Sequence, residues 1–182
     1  MAKNKGKGFE DAIKKSFLKY PSVSIDRIND NIGGYANVKG ICDFTVYQMP
    51  FQVYVECKEH LGTSFPLANI VGFKKDPKKK RKGKTQWDGL IEKSKINGVY
   101  AGVILWLVDQ DITIFLDIRD LEKAKALGYK SVGYHSKRTF SFPEQTEHSF
   151  VIPGVKKLKY YNYFMDEFFR KLGEDYEQEK IG

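Results

Sequence analysis

The residues that decide the fold are "DFTVYQMPFQVYVECK", positions 43–58 of a chain of 182 residues. Two runs of β-branched and aromatic residues flank Met49 and Pro50 and predict two strands, and the short gap predicts an antiparallel hairpin. Because side chains alternate across a strand, Glu56 and Lys58 should point to the same side of the second strand, opposite its apolar face. The hairpin therefore places a carboxylate and an amine together on one surface of a sheet.

Asp43 lies in the first of these strands, and its alternation places it on the same side of the sheet as Glu56. Cys42 and Cys57 should point away from the acids and fill the core. Adjacent carboxylates repel each other, and burial strengthens the repulsion. Mg²⁺ would remove that repulsion, because it binds carboxylate oxygens together with water and substrate phosphate. The pattern is thus compatible with metal-assisted hydrolysis of a phosphodiester, although the spacing alone favours the plainer alternative. The alternative is a solvent-facing sheet surface with an ordinary Glu–Lys ion pair.

The predicted elements follow the order helix, strands, helix, strands, helix. This order predicts an α/β fold, with a mixed central β-sheet flanked by α-helices, in one domain over residues 1–182. Thr85 is the expected N-cap of the middle helix, and the closing helix is expected to carry Tyr161 and Phe168 on its buried face. The predicted helices are 9–20, 86–97, 119–128 and 160–178, and the predicted strands are 22–29, 41–48, 51–58, 99–108 and 112–118.

The net charge of +8 is concentrated in residues 74–84, "KKDPKKKRKGK", which carry +7 and leave +1 for the rest of the chain. Like charges at this density repel, and Pro77 and Gly83 interrupt regular structure, so an exposed loop or arm is expected. Such an arm can bind phosphates and release counterions from nucleic acid. A solvated loop that aids solubility and a localisation signal are the alternatives. The candidate DNA-binding residues here are Lys74, Lys75, Lys78, Lys79, Lys80, Arg81, Lys82 and Lys84.

The composition narrows the class of protein further. Two cysteines form no disulfide framework, which indicates a reducing cytosol and a cytoplasmic protein. The longest apolar run, residues 99–108, is too short to span a bilayer. The three histidines show no zinc spacing, and the sequence has neither a Walker loop nor a dinucleotide fingerprint, so no small-molecule cofactor is expected.

The residues "D43…E56-C57-K58" resemble the PD-(D/E)xK motif of restriction-endonuclease-like nucleases. Three further features are similar to the RecU family of Holliday-junction resolvases in particular. They are "GKGFE" (Gly6–Glu10) on the first helix, "SFPL" (Ser64–Leu67) after the acid-x-Lys strand, and Gln86 at the start of the next helix. The resemblance covers most of residues 6–118, and Ser64–Leu67 is its most specific part.

The resemblance implies a restriction-endonuclease-like core and a homodimer that nicks four-way DNA junctions symmetrically. It implies that Asp43 and Glu56 bind Mg²⁺, for which Mn²⁺ can substitute, with help from the main-chain carbonyl of Cys57. Lys58 would contact the scissile phosphate and the attacking water. The remaining implied site residues are Glu10, near the metal from the first helix, and Gln86, which would steady the site or the DNA.

Two departures from the family pattern leave other functions open. Residues 26–41 are a short replacement for the family's longer stalk, with Arg27 and Lys39 as its candidate DNA contacts. The basic segment 74–84 is longer than is typical of the family, and it could grip the DNA arms instead. This variation suits a phage-encoded relative. The alternatives are another nuclease of the same fold that cuts ordinary duplex, as in repair or restriction, and a DNA-binding module without catalysis.

Overall fold

A computed structural model describes residues 7–28, 40–70, 72–73 and 85–181 of the protein. In this part of the chain the helices are α1 (Lys7–Phe17), α2 (Gln86–Ser94), α3 (Ile118–Ala126) and α4 (Met165–Ile181). The strands are β1 (Ser24–Arg27), β2 (Phe44–Gln48), β3 (Phe51–His60), β4 (Ser64–Pro66), β5 (Val99–Leu107), β6 (Ile112–Asp117), β7 (Ser131–Tyr134), β8 (Phe140–Phe142), β9 (Phe150–Val151), β10 (Gly154–Lys157) and β11 (Tyr160–Tyr163).

The central sheet has six strands in the order β1-β2-β3-β5-β6-β9. β2 and β3 form the predicted antiparallel hairpin, in which Gln48 pairs with Phe51. β3 and β5 are parallel, and the other neighbouring strands of this sheet are antiparallel. A parallel pair needs a long crossover, and the segment that contains α2 provides it. The sheet is therefore mixed, as the sequence predicts.

Each face of the sheet packs on its own hydrophobic cluster. α1 and α4 cover one face through residues such as Phe9, Ile13 and Phe168, which pack with Val55 and Cys57 of β3. α2 and α3 cover the other face, together with the small sheet β4-β7-β8. Helices on both faces of a mixed sheet confirm the predicted α/β class.

The boundaries of α2, α4 and β2 agree with the sequence predictions to different degrees. Thr85 is the N-cap of α2, because its hydroxyl accepts from the main-chain N–H of Asp88 at 3.2 Å. Tyr161 lies in β11 and not in the closing helix, which begins at Met165, so that prediction was wrong. Strand β2 begins at Phe44, because the residues before it form a bend.

Two predicted segments fall wholly or mainly outside the described residues. They are the basic segment 74–84 and residues 29–39 of the short arm at 26–41. Within the described ranges, no helix is long and apolar enough to cross a membrane.

Candidate active site

Asp43 is fixed by its main chain between two neighbouring segments. Its N–H donates to the carbonyl of Val55 at 3.0 Å, and its carbonyl accepts from the N–H of Ile28 at 3.0 Å. Its side-chain Oδ2 accepts from the N–H of Cys57 at 2.8 Å. The carboxylate thus takes the place of a strand partner at the edge of β3, where the pairing of β2 with β3 has ended.

Glu56 is almost completely buried on β3, with 2% of its surface exposed. Its Oε1 accepts from Lys58 Nζ at 2.5 Å and from Gln86 Nε2 at 3.0 Å. Its Oε2 is also buried, and no described residue donates a hydrogen bond to it. A buried carboxylate oxygen without a donor destabilises a folded protein. A cation bound at Oε2 would remove this cost.

Gln86 is the first residue of α2, directly after the Thr85 cap. The cap fixes the start of the helix, and this directs the Gln86 amide towards Glu56. Because Gln86 and Lys58 both donate to Oε1, they orient the carboxylate and leave the buried Oε2 without a donor among the described residues. The structure thus brings Gln86 to the acids, where the family resemblance placed it.

Glu10 approaches the same acids from the first turn of α1 and forms an ion pair with Arg27 of β1. Burial raises the pKa of Glu10, the charge of Asp43 raises it further, and Arg27 opposes both. The Arg27 guanidinium also lies 5.8 Å from the centre of the Phe44 ring. Arg27 is therefore engaged with the site itself, and its predicted contact with DNA stays a prediction.

Burial also raises the pKa of Glu56, the charge of Asp43 adds to the rise, and Lys58 opposes it. Carboxylates from three elements, α1, the residue before β2, and β3, thus destabilise one another's charge. Lys58 offsets part of this repulsion, but its side chain is 27% exposed and its bond goes to Glu56. The cluster is an electrostatically strained arrangement of oxygen atoms beside one cation.

The strand geometry adds a main-chain oxygen to this cluster. The carbonyl of Val55 and the N–H of Cys57 both point towards Asp43, since both bond to it. Backbone groups of alternate residues face the same edge of a strand, so the carbonyl of Cys57 also points to this edge, beyond the start of β2. Carboxylate and carbonyl oxygens are the donors that Mg²⁺ prefers. The donor set of Asp43, Glu56 and Cys57 therefore fits a hard divalent cation.

The two cysteine thiols take no part in this donor set. Burial raises the pKa of the Cys57 thiol well above its usual value, and that side chain packs in the α1 and α4 cluster. Cys42 was predicted to share that core face, and this was wrong. It packs in the α2 and α3 cluster, on the Glu56 side, because the bend at residues 41–43 interrupts the alternation. Burial raises the pKa of Cys42 to about 12, so it stays a thiol.

The remaining DNA-binding predictions lie outside the described residues. They are Lys39, Lys74, Lys75, Lys78, Lys79, Lys80, Arg81, Lys82 and Lys84.

A second group of potential metal ligands lies around Arg119 of α3. Ligand atoms of His148, Asp175 and Glu179 lie within 4.8 Å of one another. Arg119 binds both of these carboxylates and Asp117 as well, with 2.9 Å from its Nη2 to Asp175 Oδ2. The Arg119 guanidinium already binds these carboxylates, so we assign this group to an ion-pair network that joins α3, α4 and the segment before β9.

His148 should make the free energy of unfolding depend on pH. Its hydrogen bond to Asp175, 2.7 Å from Nδ1 to Oδ1, raises its pKa, although burial and Arg119 oppose the rise. A raised folded-state pKa gives stabilisation that is complete below the unfolded value near 6.5 and lost as pH rises through the folded value. Between pH 6 and 9 we expect wild type to lose about 1.5 kcal/mol more than His148→Gln, the low end for a hydrogen bond between charged groups, because the pair is partly exposed.

Urea unfolding of both proteins across this pH range would measure the difference. His60→Gln is the control, because the His60 ring packs on Phe65 and not on an acid. Equal pH profiles for wild type and His148→Gln would contradict the assignment.

No protein-family model matches the chain, and no curated protein matches it. Among solved structures it is similar to Archaeoglobus fulgidus Hjc, a Holliday junction resolvase from an archaeal hyperthermophile. The match has a TM-score of 0.42 and 16% sequence identity, and it covers 63% of this chain and 78% of that chain. A likeness this weak carries no conclusion about function, so the function has to be inferred from the site residues.

Sequence reasoning missed a set of residues on the α1 side of β3. Lys159 Nζ lies 3.3 Å from Oε1 of Glu59, and Glu59 is the residue after Lys58 on β3. The ring of Tyr160 packs on the ring of Trp106. The run "KKLKYY" at 156–161 mixes bases with aromatics and was the available signal.

Proposed function

We propose that this chain is a Mg²⁺-dependent DNA endonuclease that resolves four-way junctions by symmetric nicking as a homodimer. The observation that carries the proposal is the convergence of Asp43, Glu56 and Lys58, with the buried Glu56 Oε2 lacking a donor among the described residues. An ordinary Glu–Lys pair on a sheet surface would not explain a carboxylate that is 2% exposed.

Asp43 Oδ, Glu56 Oε2 and the carbonyl of Cys57 would hold the ion. Bound Mg²⁺ would lower the pKa of a coordinated water and neutralise charge on the scissile phosphate. Asp43 is positioned by three hydrogen bonds, so its carboxylate needs little reorganisation. Lys58 has a partly exposed ammonium, which can orient the attacking water or donate to a phosphate oxygen while its pair with Glu56 keeps it in place.

The choice of a branched substrate rests on the likeness of Ser64–Leu67 and Gly6–Glu10 to the RecU family. In the structure, Ser64–Pro66 forms β4, which pairs with β7 next to the end of β3. Two matched nicks on opposed strands require two sites related by a two-fold axis, which is the reason for a dimer. Mn²⁺ is expected to replace Mg²⁺, since both accept oxygen ligands.

A cleavage assay with two substrates tests the proposal. We expect the purified protein to cut a labelled four-way junction in Mg²⁺, to be inactive in EDTA, and to leave a linear duplex of equal length largely uncut. Paired nicks at symmetric positions should accompany the cut. Equal cleavage of both substrates would indicate a general nuclease of the same fold. Tight junction binding without any cutting would indicate a DNA-binding module.

A further inference from the structure

A short hairpin on the α1 and α4 side of the central sheet presents an unusual residue at its tip. β10 and β11 pair in register from Gly154↔Tyr163 to Lys157↔Tyr160, and Leu158 and Lys159 form the turn. Leu158 is 100% exposed and has a φ of +54°. A large apolar side chain is rarely found in the left-handed region, and it gains nothing there from burial. An exposed apolar residue in an unfavourable backbone conformation motivates the hypothesis that Leu158 contacts a partner.

The second strand of the hairpin packs on α1. Tyr160 approaches α1 so closely that a Cβ at Gly8 would lie 2.5 Å from its hydroxyl oxygen. Gly8 is two residues before Glu10 on the same helix turn. Lys159 at the tip pairs with Glu59, which follows Lys58 on β3. The tip therefore contacts α1 and β3, the elements that supply Glu10 and Lys58, from the α1 and α4 side of the sheet, whereas Lys58 and Glu56 point to the α2 side.

The base of the hairpin is anchored in the core, so the tip has a defined position. The N–H of Tyr163 donates to Ser16 Oγ at 3.0 Å, and its hydroxyl lies 3.1 Å from that of Thr113. Lys156 Nζ donates to Asp111 Oδ2 at 2.6 Å. These contacts tie the hairpin to α1 and to the start of β6. The contacts at its base thus fix the position of the hairpin that carries Leu158.

The charge of the hairpin identifies the kind of partner. Residues 154–163 contain Lys156, Lys157 and Lys159 and no acid. Lys156 and Lys159 each have a carboxylate partner, whereas Lys157 is exposed and forms no ion pair within the described part of the chain. A cation beside an exposed apolar tip suits a polyanion that also offers apolar faces, and nucleic acid has both in its phosphates and bases.

We propose that the β10–β11 hairpin is a DNA wedge, in which Leu158 inserts between bases of the bound DNA and Lys157 binds the adjacent phosphate. Apolar side chains inserted in this way unstack a base step and open the duplex locally. This inference rests on the proposed function for the class of substrate. It extends that function by assigning the separation of bases to residues outside the catalytic cluster.

Base unstacking can be measured without cleavage. A junction with 2-aminopurine next to the branch point is titrated with protein in Ca²⁺, and fluorescence is expected to rise at least about twofold as the base leaves the stack. Leu158→Asn should abolish most of this rise and keep its melting temperature, because asparagine tolerates a positive φ. Leu127→Asn, at a leucine that is 60% exposed after α3, is the matched control and should behave as wild type. Lys157→Ala should reduce the salt dependence of binding by about one phosphate contact.

The outcomes separate this inference from the proposed function. An unchanged fluorescence rise in Leu158→Asn would overturn the wedge, even if wild type cuts junctions. Loss of the rise in Leu158→Asn would support the wedge, even if wild type cuts nothing. Anionic lipid vesicles provide the competing partner. Leu158-dependent binding to vesicles, with no fluorescence change on DNA, would also overturn the proposal.

Discussion

Asp43→Asn and Lys58→Ala should each lower the rate of junction cleavage by about a hundredfold to a thousandfold. This is the usual loss when one electrostatic contact to a transition state is removed. Asp43→Asn loses an anionic ligand while its amide oxygen can still accept from the N–H of Cys57. Lys58→Ala removes the cation that lies 2.5 Å from Glu56. Single-turnover rates at saturating protein would measure both effects. Junction affinity in Ca²⁺ should stay within a few-fold of wild type.

The melting temperature distinguishes the role of the acids from that of the lysine. An ion that binds only the folded state stabilises it by mass action, about 1.4 kcal/mol at ten times the dissociation constant. Wild type should therefore melt about 3–6 °C higher at that Mg²⁺ concentration. Asp43→Asn and Glu56→Gln should lose this increase, whereas Lys58→Ala should keep it. Glu122→Gln, at an exposed acid on α3, is the control.

Full cleavage by either Asp43→Asn or Lys58→Ala would show that the chemistry lies elsewhere.

The alternation of side chains in β3 was enough to predict that Glu56 and Lys58 point to the same face of the strand. The two-residue loop before β3 was enough to predict that Asp43 lies near them. Both patterns are local, so they depend little on the rest of the fold. The contact between Gln86 and Glu56 spans 30 residues, and only the family resemblance indicated it. Periodicity in α2 placed Gln86 at the helix start but could not direct its amide.

Three features of the site escaped sequence reasoning for physical reasons. The bend at residues 41–43 reverses the expected face of Cys42, and no turn residue other than Gly40 marks it. The pair between Glu10 and Arg27 depends on how α1 packs against β1, which is a tertiary property. The β10–β11 hairpin was missed because Tyr161 continues the four-residue spacing of the closing helix backwards. Pairing with Lys156 across the hairpin outweighs that weak helical preference.

Gly89→Ala should lower cleavage by about a hundredfold, because small displacements of a reacting group have large effects on rate. Gly89 lies on α2, where an added Cβ would be 2.4 Å from Ile41 Cγ2 and 2.7 Å from Ile41 Cβ. These distances are far below van der Waals contact, so either the helix or residue 41 must move. Ile41 is two residues before Asp43. The displacement should also destabilise the fold by about 1–3 kcal/mol, as is usual for overpacking.

Gly173→Ala is the matched control, since it adds the same methyl group to the interior of another helix. The nearest atom to its new Cβ would be Phe51 Cζ at 3.9 Å, an ordinary contact. Alanine favours helix over glycine by up to about 1 kcal/mol, so this variant should be slightly more stable than wild type and fully active. Adding Ile41→Ala to Gly89→Ala removes the nearer clashing atom and should restore part of the rate. If Gly89→Ala cuts as fast as wild type, the packing of α2 on Ile41 does not set the position of Asp43, and the hydrogen bonds of Asp43 to Val55, Ile28 and Cys57 suffice to hold it.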